Sequence, residues 1–233
     1  DKDAIKNITN NKNNVKNNEK LIEENAAIYK KTADQGDPDA QYELGKMYIR
    51  GQLGKKDYQK ARELFQKAAD QGHSIAQNSL GAIYAGGLGV KQDYARAIEW
   101  FEKAANQGYT LAQYNLASKY YTGEGVKQDY IKAIEWFTKA ADQGDPDAQN
   151  NLGVMYYKGL GVRQDYAKAI EWYQKAIGQN NPDAQNNLGV MYRDGLGVKQ
   201  DYMKAIDYFE KAADQNIAKA QHNLGDIYYF GDG

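Results

Sequence analysis

The chain has no cysteine, which excludes a disulfide framework, a thiolate metal site and a cysteine nucleophile. It has two histidines, His73 and His222, too few and too far apart in sequence for a histidine-based metal cluster or a catalytic triad. Neither sign of charge dominates. Thirty Lys and Arg face 31 Asp and Glu, and a pI near 6.2 lacks the basic footprint of a nucleic-acid binder. No apolar run approaches the roughly 20 residues that cross a bilayer, so no membrane span is expected and a soluble chain is. Proline is scarce, at 3 residues, whereas glycine (23) and tyrosine (20) are abundant in the 233 residues. So much glycine suggests loops, yet the stretches rich in Ala, Gln, Lys and Tyr read as helix formers.

The conflict resolves in an internal repeat. Ala-Gln recurs at Ala40-Gln41, Ala76-Gln77, Ala112-Gln113, Ala148-Gln149, Ala184-Gln185 and Ala220-Gln221, every step being 36 residues. The same interval joins Leu44 to Leu224 and Tyr48 to Tyr228, and all glycines except Gly54, Gly86 and Gly178 fall in register. The full repeats are 37–72, 73–108, 109–144, 145–180 and 181–216. They are flanked by half repeats at 20–36 and 217–233, so 20–233 reads as a single repeat domain. Residues 1–19 are rich in Asn and Lys and too polar to bury a face. They read as flexible or as a frayed helix, although Ile8, Val15 and Ile22 at seven-residue spacing allow a helix docked on a partner.

Each repeat reads as two helices. In the first, helix A, residues such as Ala148, Leu152 and Tyr156 form one apolar stripe at i, i+4 and i+8, over about 13 residues. Asp37-Pro38, Asp145-Pro146 and Asn181-Pro182 mark its start, an Asx cap followed by proline where a helix needs no donor. Helix B opens at Asp93, Asp129, Asp165 or Asp201 and closes at Gly36, Gly72, Gly108 or Gly144, with Asn180 and Asn216 as left-handed substitutes. Gly-x-Gly-Val joins the helices, and Gly51-Gln52-Leu53-Gly54 departs from it, which predicts a different first connector. A glycine inside helix A, such as Gly153, predicts close approach of a neighbouring helix, and Ala117 predicts a slightly wider spacing in its repeat. The in-register aromatics Tyr120, Tyr156, Trp100, Trp136 and Trp172 are assigned to the core.

These motifs, Ala-x-x-x-Leu-Gly-x-x-Tyr, Gly-x-Gly-Val and Asp-Tyr-x-Lys-Ala-x-x-Trp-Phe-x-Lys-Ala-Ala-x-Gln-Gly, resemble the Sel1-like repeat family, relatives of tetratricopeptide repeats. The match covers about residues 20–233. The resemblance implies an all-α fold, a right-handed α-solenoid of antiparallel helix pairs that serves as an adaptor or scaffold for other proteins. The family, the missing cysteine and a start without Met point to export. The expected location is periplasmic or secreted, with the cytoplasm as alternative.

A partner protein or peptide is expected in a concave groove lined by helix A, at the positions left over by the repeat signature. One row is Tyr42, Asn78, Tyr114, Asn150 and Asn186; Ser118, Val154 and Val190 form a second, and Tyr121, Tyr157 and Arg193 a third, with Lys158 beside it. Amides can pair with an extended backbone, and tyrosine offers contact area with few rotamers to lose. The asparagines have an equally weighted alternative, bonding between adjacent helices. Gly-x-Gly-Val lacks the Lys-Ser or Lys-Thr of a phosphate loop, and the regular Asp residues are explained as caps. No cofactor or metal is implied. The expected function is a non-enzymatic protein-interaction module. One alternative is an immunity protein occluding a bacterial toxin; another, of a different class, is cell-wall glycan binding or processing.

Overall fold

The computed structural model describes the backbone of residues 2–230 and the side chains of 18–229. Among the described residues all regular structure is helical. The helices form two compact units, Asp1–Tyr109 and Thr110–Gly233, divided at the start of a helix A. The first contains α1 (Lys2–Asp34), α2 (Pro38–Arg50), α3 (Tyr58–Asp70), α4 (Ser74–Gly86) and α5 (Tyr94–Asn106). The second contains α6 (Thr110–Thr122), α7 (Tyr130–Asp142), α8 (Pro146–Lys158), α9 (Tyr166–Ile177), α10 (Pro182–Asp194), α11 (Tyr202–Ala213) and α12 (Ala218–Phe230). Within each unit consecutive helices pack as A–B pairs, and in the second α8 also touches α10. This is the tandem helix-pair solenoid that the period implied. The side chains of 1–17, including Ile8 and Val15, lie outside the described residues, and with them most of the expectation for 1–19. The backbone of 2–34 is one helix.

Caps set the helix boundaries. Asp37 accepts from the Ala40 N–H at 2.7 Å, Asp145 from Ala148 at 2.7 Å and Asn181 from Ala184 at 2.9 Å. Where the repeat has no Asx residue, His73 Nδ1 accepts from the Ala76 N–H at 3.0 Å. Asn180 and Asn216 stand in the left-handed region at φ 61° and 65°, as expected of glycine substitutes.

The glycine of helix A is a notch for one aromatic ring. A Cβ at Gly81 would lie 2.5 Å from Phe101, and at Gly189 2.7 Å from Phe209. Phe65, Phe101, Phe137, Tyr173 and Phe209 are thereby buried to within 2% of full burial, against Leu80, Leu116, Leu152 and Leu188 at 0% exposure. Each such side chain contributes roughly 1.5–3 kcal/mol by leaving water. Ala117 occupies the notch position in its repeat, fully buried.

The tryptophans differ from their core assignment. Trp100, Trp136 and Trp172 are only half-buried, each with a lysine ammonium one turn on (Lys103, Lys139, Lys175) 3.9 Å from the ring centre. The neighbouring residue fills the notch, which leaves the indole on the outer face as a cation–π platform. Of the tyrosines assigned to the core, Tyr120 is buried and Tyr156 half-buried, with Lys132 and Lys168 over their rings.

A ladder of buried glutamines joins the repeats. Gln149 donates to the Ala141 carbonyl of the preceding helix B at 3.1 Å, while its own carbonyl accepts from Gln179 at 3.0 Å. Gln77 does the same with Ala69 and Gln107. The connectors complete the packing: a Cβ at Gly161 would meet Tyr130 of the preceding repeat at 2.7 Å. The first connector does differ, its second left-handed glycine being Gly54 at φ 112°.

Candidate functional site

In the second unit the A helices present a cleft of about 270 Å³, lined by Asn150, Val154, Tyr157 and Lys158 of α8, Tyr173 of α9, Asp183, Asn186, Asn187 and Val190 of α10, and Lys219 of α12. Six residues expected in the groove therefore come together: Asn150, Val154, Tyr157, Lys158, Asn186 and Val190.

The asparagines in this cleft bridge helices. Asn187 Nδ2 donates to Asn150 Oδ1 at 3.0 Å, and Asn223 Nδ2 to Asn186 Oδ1 at 2.9 Å. The Tyr114 hydroxyl, one repeat earlier, hydrogen-bonds with Asn151 and Ser118. Thus the fifth residue of each of these A helices meets the sixth of the next. Asn186 is buried; Asn150 is half-buried and keeps part of its amide on the cleft.

Arg193 is turned away from free recognition by a two-point pair with Asp194, at 2.6 and 3.0 Å, and a bond to Asn223 at 3.2 Å. Tyr121 packs edge-on against Tyr130 and Phe137 at centroid distances of 5.6 and 6.5 Å. In the first unit Tyr42 is stacked on His73 at 5.1 Å with Lys46 over its ring, and Asn78 is buried.

Tyrosine and amide chemistry dominates the cleft. Burial, followed by the nearby Asp194 carboxylate, pushes the Tyr157 phenol up from its usual range, so it stays a neutral donor at physiological pH. Burial raises Tyr173 still further. Tyr173 stands where the other full repeats have Phe65, Phe101, Phe137 and Phe209, and is the one ring of that set that brings a hydroxyl to a cleft. It finds no hydrogen-bond partner among the described residues. Sequence reasoning missed Tyr173, although the change from Trp-Phe to Trp172-Tyr173 was visible. It also passed over the Asn151, Asn187, Asn223 row, which recurs at 36 residues beside the row selected. Among the described residues no group of His, Cys, Asp or Glu could hold a metal, and no helix is long and apolar enough to cross a membrane.

A stack of helix pairs with ring-in-notch packing and a cleft on its A helices defines an α-solenoid repeat protein. The family profile described as Sel1 repeat matches residues 38–73, 74–109, 110–145, 146–181, 182–217 and 218–233, and the chain belongs to that family, whose members are generally non-catalytic interaction scaffolds. Comparison with curated proteins gives no match. Among solved structures it is similar to a protective antigen of uropathogenic Escherichia coli with an SLR fold, at 41% identity and a TM-score of 0.84 over 88% of this chain. The chain spans 44% of that antigen's length. It is also similar to a Sel1 repeat protein from Oxalobacter formigenes, at 37% identity and a TM-score of 0.77, covering 83% of this chain and 79% of the other. An immunity protein from Pseudomonas aeruginosa shares 25% identity at a TM-score of 0.50, over 78% of this chain and 66% of its own.

Proposed function

We propose that the chain is a non-enzymatic protein-interaction module, and that the cleft of α8 and α10 receives an extended segment of a partner protein. The observation that carries this reading is the composition of the cleft. Asn150, Tyr157, Tyr173, Lys158 and Lys219 line it together with two valines and a single acid, Asp183. Hydroxyls and amides match a peptide backbone, the valines an apolar side chain and the lysines a carboxylate. Tyr157 and Lys158 are the residues to test, because neither belongs to the asparagine ladder. Replacing both with Ala removes the Tyr157 contact with the Tyr166 ring, 5.7 Å away, but none of the fully buried side chains, and is expected to weaken capture of the partner by at least about tenfold, as for a central aromatic contact. Unchanged capture by a folded variant removes the cleft from the interface.

The likeness to the Pseudomonas aeruginosa immunity protein favours a second, narrower reading, in which the partner is a toxin and binding occludes it. Co-expression decides it. The chain should restore growth to cells carrying the partner gene, and a partner harmless on its own excludes this reading.

A further inference from the structure

A second cleft, of about 540 Å³, lies in the first unit where the connector of the second full repeat meets α3. Its lining includes Arg62, Tyr84, Lys91, Asp93 and Arg96. The corresponding clefts of two later repeats, beside Tyr156 and Tyr192, are built from the same connector positions and serve as internal controls. They keep one cation at each of the positions of Lys91 and Arg96, as Arg163 and Lys168 or Lys199 and Lys204, but have no counterpart of Arg62. Arg62 stands where the other full repeats carry Ile98, Ile134, Ile170 and Ile206. Ile170 shows what this position faces, its Cδ1 lying 3.4 Å from where a Cβ at Gly197 of the next connector would be.

The arginine has displaced an apolar residue without gaining a partner. Its Nε is buried and makes no hydrogen bond, and no ion pair to Arg62 exists among the described residues. Arg62 is half-buried, and the buried N–H at its Nε is left unpaired, which is unfavourable; an anion that completes it is bound correspondingly well. The other charges in the lining are Lys91, Arg96 and Asp93. Arg96 is matched by Asp93 at 3.4 Å and lies over the Tyr84 ring at 5.6 Å, whereas Lys91 has no partner among the described residues. Arg62 and Lys91 therefore leave two positive charges uncompensated. In the sister clefts one acid faces two cations, Asp165 against Arg163 and Lys168 and Asp201 against Lys199 and Lys204, which leaves a net charge of one.

We infer that this cleft binds a doubly charged oxyanion of the phosphate type, held by the Arg62 fork and the Lys91 ammonium. Arginine presents parallel donors to such an anion, and two unmatched cations balance a dianion. Its source is free phosphate or a phosphoryl group carried by a peptide.

The test is a titration of the full chain with inorganic phosphate, with acetate as monoanion control, read on the backbone amides of residues 90–96 by NMR. Saturable shifts are expected there and not at 162–168 or 198–204. Arg62→Ile installs the residue of the sister repeats and so preserves packing; it should weaken phosphate binding by about tenfold or more. Ile170→Arg should create phosphate-dependent shifts at 198–204. A phosphoserine peptide that binds at least tenfold tighter than phosphate identifies a peptide-borne group, and equal affinities identify the free ion. Equal shifts at all three connectors, no saturable shift at 90–96, or undiminished binding by a folded Arg62→Ile variant overturns the assignment.

Discussion

The Tyr173 ring lies against Gly153 so closely that a Cβ on Gly153 would stand 2.5 Å from both Cδ1 and Cε1 of the ring. Gly153→Ala should therefore destabilise the chain by about 1–2 kcal/mol, overpacking outweighing the roughly 1 kcal/mol gained in helix propensity. Gly225, at the same register in α12, has nothing within 4 Å of such a Cβ. Gly225→Ala is expected to be neutral or stabilising by up to about 1 kcal/mol. Urea unfolding of the two variants compares them directly, and equal effects would contradict the notch.

Trp136 and Phe137 are neighbours in sequence with different surroundings, the indole half-buried under Lys139 and the phenyl ring 1% exposed. Phe137→Ala is expected to cost about 3–5 kcal/mol, and Trp136→Ala about half as much. Lys139→Ala should cost under about 1 kcal/mol, since the cation–π contact is exposed to water. Thermal unfolding that ranked Trp136 above Phe137 would return the tryptophans to the core.

Gln149→Ala removes a side chain that both donates to Ala141 and accepts from Gln179. The Ala141 carbonyl keeps the Gly144 N–H, so the cost is that of two lost side-chain bonds, about 2 kcal/mol, while Gln179→Ala, which removes one, should cost about 1 kcal/mol. Hydrogen exchange should report the difference locally: Gln149→Ala is expected to speed exchange at the junction of α7 and α8.

Much of this architecture is legible from the repeat alone, because every helix start, notch and connector occurs several times in one register. What the period does not reveal is which of two adjacent residues faces inward. Trp136 and Phe137 are both large and aromatic, and only the placement of the helix A glycine selects Phe137. The glutamine ladder was likewise invisible as a pairing. Gln149 and Gln179 each recur at 36 residues, but their bond joins positions 30 apart, one in α8 and the other in the turn after α9. The groove rows were chosen as leftovers of the signature. Val154, Tyr157 and Lys158 of those rows line one cleft, but the rows could not show that Asn186 is buried in an inter-helix bond.

Asp145 provides a pH-dependent prediction. Its carboxyl is pushed above the ordinary value of 3.8 chiefly by burial, against the opposing bond from the Ala148 N–H. A folded value above the unfolded one means that the native state binds the extra proton. Within the window from 3.8 up to the raised value, lowering the pH therefore favours folding at this site, and the burial penalty is fully present above it. Asp145→Asn copies the Asn181 cap of the next repeat and removes the titration. The variant should equal or exceed the parent in stability at neutral pH, and that margin should shrink as the pH falls through the window. Denaturation curves at several pH values measure it, and a margin that grows on acidification would reverse the sign argued here.

Tyr173→Phe separates packing from recognition. The substitution restores the ring found at Phe65, Phe101, Phe137 and Phe209, so the notch at Gly153 stays filled. The hydroxyl removed has no partner among the described residues, and its loss leaves nothing unmatched inside the chain. Stability should be unchanged or raised by up to about 1 kcal/mol. Partner affinity should fall, by about fivefold to tenfold if the hydroxyl donates to a bound backbone carbonyl. Calorimetric unfolding and partner titration on the same preparation give both values. A variant that lost stability and kept its affinity would mean that the hydroxyl serves the fold, and the cleft would have to recognise its ligand through Tyr157 and the lysines alone.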